Sequence, residues 1–178
     1  MTSWYSVRRD SVQTHTGEQI SYTYVEHPGA VYVVPVTGEG VVLLIRQYRY
    51  PVHDWLWEVP SGGIEVGEDG ATAAARELAE EVGATSPEIQ PVAAFYTSAG
   101  ISNERSEVYL ATQVTLGQSH REATELLRVV PLPLDVALRM AHAGEMTDAQ
   151  SALALLLCEP YLRAIGSWVD EEQGGKAR

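Results

Sequence analysis

Seven residues between positions 62 and 83 are of the types that gather a metal ion and phosphate. Gly62, Glu68, Arg76, Glu77, Glu80, Glu81 and Gly83 lie in one run, GGIEVGEDGATAAARELAEEVGA. Its alanine-rich centre favours helix, Asp69 is placed to cap the start, and Gly83 is placed to end it. On that helix Glu77, Glu80 and Glu81 stand at i, i+3 and i+4, so their carboxylates share one face. Like charges so close oppose each other unless something positive sits between them. Arg76 reaches Glu80 at i+4, but one guanidinium does not neutralise three carboxylates. Clustered oxygen ligands suit Mg2+ or Mn2+, which prefer carboxylates, water and substrate phosphates to nitrogen or sulfur. The glycine-rich turn before the helix lets main chain approach a metal or phosphate.

An acidic run on a helix is ordinarily a solvated face. The spacing argues against that here. With Gly, Arg and Glu each at about 7% usage, all seven positions coincide by chance on the order of once in 10^8 starting points.

The rest of the chain must hold this helix. At 178 residues, 45% of them hydrophobic, it is long enough for one domain with a substantial core. We expect that domain over 1–170, with 171–178 (EEQGGKAR) a disordered tail. Residues 3–12 and 18–26 alternate and are rich in aromatic and β-branched types, with HTGE as a turn between them. They predict an antiparallel strand pair over 1–27, ahead of the main fold. Strands are expected at 30–37 and 41–50, joined by a tight Gly38-Glu39-Gly40 turn, then a loop at 51–55 and a short strand at 55–60. After the acidic helix come strands at 88–97 and 105–114, a mobile polar loop at 116–125 and a last strand at 126–132. Two helices finish the chain, one over 134–143 and one from about 148, with Thr147 and Gln150 as its capping box and Pro160 as its break or kink.

A net charge of −12 argues against binding nucleic acid or an anionic membrane. An acidic protein acting on phosphates needs a local cation, which metal at the acidic helix would supply. The single cysteine, Cys158, lies in an apolar run and is expected to be a buried small hydrophobe. The first ten residues carry no apolar signal core and no segment reaches transmembrane length, so a cytoplasmic protein is expected. None of the five histidines has metal-ligand spacing, and His120 is expected to be solvated.

The run reads G-x5-E-x7-R-E-(apolar)-x-E-E-x-G-(apolar) and resembles the box of the Nudix hydrolases at every required position. RQYRYP (46–51), WEVPSGG (57–63) and the extra strand pair are similar to the ADP-ribose pyrophosphatase and nucleotide-sugar branch. The resemblance implies an α/β fold: an α/β/α sandwich with a mixed β-sheet plus the N-terminal antiparallel pair. It also implies a homodimer and Mg2+- or Mn2+-dependent cleavage of a nucleoside diphosphate linked to another moiety.

Carried over by position, the resemblance makes Glu77 and Glu81 the principal metal ligands, with Glu80 and the Ser61 carbonyl contributing. Glu68 and Arg76 orient them, with Gly62 supporting. Arg49 matches a phosphate-contacting arginine, and Glu58 a glutamate that holds an arginine. Trp4 and Tyr22 fall where relatives stack an adenine ring; alternatively they pack at a dimer interface. Relatives carry a general base in the loop before the last strand, so Glu122 and Glu125 are the candidates, Glu125 at the usual place. One departure concerns substrate. ADP-ribose enzymes often have proline in an S-P-G context beyond the box, where this chain has Ser98-Ala99-Gly100. ADP-ribose therefore stands beside other nucleotide sugars or dinucleotides. A non-catalytic nucleotide-sensing module is disfavoured by the intact box, and an isopentenyl-diphosphate isomerase by the position of Cys158.

Overall fold

The computed structural model describes residues 5–117 and 126–165. Trp4, Glu122, Glu125, His120 and the tail 171–178 lie outside them.

Two sheets stand between helices. A mixed sheet has the order β6-β3-β9-β8, formed by Ser61–Gly63 (β6), Ala30–Pro35 (β3), Arg105–Thr112 (β9) and Glu88–Tyr96 (β8). Within it β3 and β9 run parallel, and the remaining pairs are antiparallel. An antiparallel sheet has the order β11-β4-β5, formed by Leu127–Pro133 (β11), Val41–Arg49 (β4) and Asp54–Glu58 (β5). Both sheets bury alternate residues on opposite faces. Val31 and Val33 of β3 and Leu43 and Ile45 of β4 pack on Ala73, Ala74 and Leu78 of the box helix. Val34, Val42 and Leu44 face the other way, against Leu138 of α2 (Leu134–His142) and Leu155, Cys158 and Leu162 of α3 (Ala149–Ile165). Period-two alternation on strands buried from both sides makes the three-layer sandwich. Burial pushes the Cys158 thiol up to about 12, as befits an inert core residue.

The N-terminal pair, Ser6–Gln13 (β1) and Gln19–Glu26 (β2), forms a sheet of its own in the register Ser6↔Glu26 to Gln13↔Gln19. None of its residues belongs to either core cluster. It is tied to the body through the 98–104 loop. Val25 donates to the Ile101 carbonyl, the Asn103 amide donates to the Val25 carbonyl, and the Tyr22 hydroxyl donates to the Gly100 carbonyl at 2.8 Å.

Several local expectations change. The 51–55 loop is a 3-10 turn over Tyr50–Val52, and β5 begins at Asp54. Thr115–Leu116 (β10) pairs with Ala84–Thr85 (β7), so these residues leave the polar loop for a short ladder. Asp148, not Thr147, starts α3: its carboxylate accepts the Ser151 amide at 2.9 Å, the N-cap to N3 bond. Aspartate wins that position because its oxygen reaches the free amide directly. Pro160 lies inside α3, which continues to Ile165; the flanking apolar residues Cys158 and Leu162 are wholly buried and hold the helix across it.

Candidate active site

The box helix, α1 (Gly70–Glu77), starts and stops as its residues dictate. Asp69 accepts the Thr72 amide at 3.0 Å, which holds its carboxyl below the ordinary range. Gly83 ends the helix at φ 69°, ψ 37°, a left-handed geometry open to glycine at little cost. Between them the sequence conceals one feature. Residues Leu78–Val82 form a π-helical turn, which widens the spacing assumed for an ideal helix. Glu77 and Glu81 point inward, 7% and 5% exposed, while the Glu80 side chain is 47% exposed.

Arg76 is the hub of the cluster. Its Nε and Nη2 donate to Glu68 at 3.1 Å, and its Nη1 donates to Glu77 at 2.6 Å and Glu80 at 3.1 Å. A further bond from Nη2 to the Gly63 carbonyl, 2.9 Å, fixes the guanidinium against β6. The guanidinium holds the Glu68 carboxyl below its usual value, and the carboxylates raise that of Arg76. Glu81 accepts the Ser61 amide at 2.8 Å. Gly62 lies against Glu77 so closely that a Cβ there would overlap the carboxylate. Any larger residue at this position would have to displace that carboxylate, so the case for glycine is steric rather than conformational.

Across the sheet, Glu58 is 1% exposed and takes Arg49 in a two-pronged pair at 2.8 and 2.5 Å. Glu58 raises the Arg49 pKa most, and the charges of Glu81 and Asp148 add to it. Arg49 thus carries a charge favoured from several sides, with its side chain 43% open to solvent. On the same face of β4, Gln47 is 5% exposed and its Oε1 has no partner.

Among the described residues no three Asp, Glu, His or Cys side chains converge on one ion-sized point. Glu77 is turned to Arg76, and Glu81 to the Ser61 amide. The donor set nevertheless fits Mg2+ or Mn2+. It is all oxygen, two of its carboxylates are buried, and three carboxylates share the single Arg76 guanidinium.

The structure thus brings together Ser61, Gly62, Glu68, Arg76, Glu77, Glu80 and Glu81, with Arg49 and Glu58 alongside. Tyr22 is apart from them, on the strand pair. Trp4, Glu122 and Glu125 are outside the described residues. Sequence reasoning missed Gln47, which alternation along β4 places on the face of Ile45 and Arg49.

An acidic helix behind a glycine turn, on one face of an α/β/α sandwich, defines a class of protein built to hold a divalent cation and phosphate. The NUDIX domain family matches residues 26–150, and this chain belongs to it. The ADP-ribose pyrophosphatase of Bacillus subtilis is 35% identical over 148 residues, covering 82% of this chain and 80% of that protein. The methanol dehydrogenase activator of Bacillus methanolicus is 30% identical over 148 residues, with 82% and 80% covered. The crystal structure of an ADP compounds hydrolase shares the fold at a TM-score of 0.80 and 21% identity, covering 94% of this chain and 91% of that one. The family match begins at Glu26, so the strand pair β1–β2 is almost wholly outside it.

Proposed function

We propose that this protein is a metal-dependent pyrophosphohydrolase that cleaves ADP-ribose to AMP and ribose 5-phosphate. The observation that carries the reading is the intact box in working order: Glu77 and Glu81 buried behind Gly62 and Ser61, with Arg76 joining Glu68, Glu77 and Glu80. The identity to the Bacillus subtilis ADP-ribose pyrophosphatase supports the substrate. Ser98-Ala99-Gly100, where ADP-ribose enzymes often carry S-P-G, keeps other dinucleotides and nucleotide sugars as the second reading.

In this reading Glu77, Glu81 and Glu80, with the Ser61 carbonyl, hold Mg2+ or Mn2+. A cation held there would lower the pKa of a water and offset charge on the phosphoryl oxygens. Glu68 keeps Arg76 in place, and Arg76 sets the rotamers of Glu77 and Glu80. Arg49, oriented by Glu58, contacts a phosphoryl oxygen; its fork matches phosphate geometry and its charge is permanent. Glu125 takes the proton from the attacking water, with Glu122 the alternative. The water oxygen bonds to one phosphorus as the bridging oxygen leaves with the other phosphoryl group, and two monophosphates result. The protein works as a homodimer through β1–β2, with Trp4 and Tyr22 at the adenine. It acts in the cytoplasm, consistent with a lone buried thiol. Among the described residues no helix is long and apolar enough to cross a membrane.

The test is a hydrolysis panel of nucleoside-diphosphate compounds with Mg2+ or Mn2+ and identification of products. AMP with ribose 5-phosphate as the best-turned-over pair supports ADP-ribose, whereas preference for another compound selects the second reading. Glu125→Gln should lower kcat by roughly 10^2- to 10^4-fold with KM within a few-fold. If Glu122→Gln carries the loss instead, the base is Glu122; if neither change matters, a box glutamate such as Glu80 takes the proton.

A further inference from the structure

Strand β4 has two faces with different chemistry. Leu43, Ile45 and, by alternation, Arg49 lie on the side of the box helix, while Val42, Leu44, Arg46 and Tyr48 lie on the side of α2 and α3. Val42 and Leu44 are wholly buried beneath those helices. Further along the same face the residues change from aliphatic to cationic and aromatic. The ladder sets Arg128 of β11 opposite Arg46, Arg46 opposite Trp57, and Tyr48 opposite Trp55. Residues directly opposite share a face, so all five side chains stand on this one.

The five interleave. The Arg46 guanidinium lies over the Trp57 ring, 5.0 Å from its centroid. That of Arg128 reaches past β4 to Trp55, 5.2 Å from its centroid. Tyr48 meets the same Trp55 ring edge-on at 5.9 Å. Arg46 and Arg128 are like charges directly opposite in a ladder, a pairing that repels. With 24 acidic side chains against 12 Lys and Arg, the chain has carboxylates to spare for its cations. Arg8, Arg49, Arg76, Arg105, Arg139 and Arg163 each meet one. Among the described residues, Arg46 and Arg128 form no ion pair. The stacks do not take that place. A ring engages the flat face of a guanidinium and leaves its in-plane N–H donors free. The indoles therefore seat two adjacent cationic forks whose donors have no protein acceptor among the described residues.

We propose that Arg46 and Arg128, seated on Trp57 and Trp55, form a site for a phosphoryl dianion on the face of the sheet turned away from the box. A carboxylate fits one fork and answers one charge, whereas a phosphoryl group brings three oxygens and about two charges to both. Inorganic phosphate and a monophosphate ester carry the same group. Arg46 and Arg49 point to opposite faces of β4, so the site is separate from the box and stands whatever the box does.

Binding to the whole chain is followed by tryptophan emission and by calorimetry, with a chelator present so that no metal contributes. Inorganic phosphate, AMP, acetate and chloride are titrated at constant ionic strength. Phosphate should bind saturably, and Arg128→Gln and Arg46→Gln should each weaken it about ten-fold, the loss of a charge-assisted contact. Arg128→Lys keeps the charge without the fork and should recover part of that loss. Arg9→Gln, which removes a charge from β1, should leave the affinity within about two-fold. Equal affinity for phosphate and AMP supports the site with the free group as ligand, and tighter AMP supports it with a nucleotide monophosphate. Acetate or chloride binding as well as phosphate would overturn it. So would absent binding, or an affinity unmoved by both glutamine substitutions. Arg128 is exposed, so Arg128→Gln should fold, and thermal melting checks each variant. Should Arg46→Gln melt early, Arg128→Gln alone decides: unchanged phosphate affinity there overturns the site.

Discussion

The acidic helix and the N-terminal strand pair are built on opposite plans. Around α1, polar groups are buried and each is spoken for: Arg76 reaches three carboxylates and the Gly63 carbonyl, and Glu81 takes the Ser61 amide. Around β1–β2, large apolar side chains stay in the open, with Val7, Val12, Ile20 and Tyr22 all exposed. Its ion pair, Arg8 with Glu26, lies in solvent, where such pairs add little. The first region is complete within the chain. Among the described residues nothing covers the apolar side chains of the second, and its bonds to the 98–104 loop fix where they are presented. The carboxylate cluster is therefore set on the double-sided core, while the strand pair is joined to the body by hydrogen bonds to the 98–104 loop, and in the proposed reading chemistry falls to the first and recognition to the second.

The largest effect should fall on the core-mounted side. Glu81→Gln should lose roughly 10^2-fold or more in turnover at saturating Mg2+ while remaining folded, because a charged ligand is lost. Near-normal turnover would remove Glu81 from the metal site and end the contrast. Next comes Gly62→Ala, whose Cβ overlaps the Glu77 carboxylate. It should destabilise the protein by about 1–3 kcal/mol in urea unfolding and lower activity with it. Gly38→Ala is its control: a Cβ there meets nothing, and stability should stay within about 0.5 kcal/mol.

A third prediction concerns acid. Arg76 lowers the folded pKa of Glu68, so the stabilisation is fully present above the unfolded value of about 4.3 and is lost as pH falls through the folded value. Glu68→Gln should therefore flatten the decline in melting temperature below about pH 4.5. A decline as steep as wild type would show that Glu68 does not act through Arg76.

These tests follow what was legible before any coordinates. Asp69, Gly83 and the order of carboxylates were readable because capping and helical spacing are local, encoded within a dozen residues. The strands β3 and β4 were readable as β-branched runs about a tight turn, but their place in an α/β/α sandwich came from the resemblance alone. The π-helical turn at Leu78–Val82 was not readable, since nothing in LAEEV sets it apart from ordinary helix formers. Thr147 and Asp148 are both capping types one residue apart; the contact of Ser151 with Val59 selects the frame that places Asp148 at the cap. The arginine clamp lies between these cases: the residue types of Arg49 and Glu58 came from resemblance, and a nine-residue hairpin brought them together.

The smallest effect should appear on the strand pair, where it sharpens the comparison most. Tyr22→Phe removes the hydroxyl that donates to the Gly100 carbonyl but keeps the ring. The bond is exposed, so its loss should cost no more than about 1 kcal/mol, and the core beneath the box should not register it. Melting temperature and Mg2+ dependence should match wild type. If β1–β2 presents its aromatics to substrate or to a second copy, KM for ADP-ribose should rise a few-fold, because the strand pair is held less firmly against the 98–104 loop. Light scattering at micromolar concentration reads the other possibility directly, since a dimer built on this face should persist in the variant and a monomer of full activity contradicts it. A change in kcat or in metal dependence, with KM unmoved, would mean that the strand pair communicates with α1. The two regions would then be one mechanical unit, and the division between a set catalytic face and a hung recognition face would be wrong.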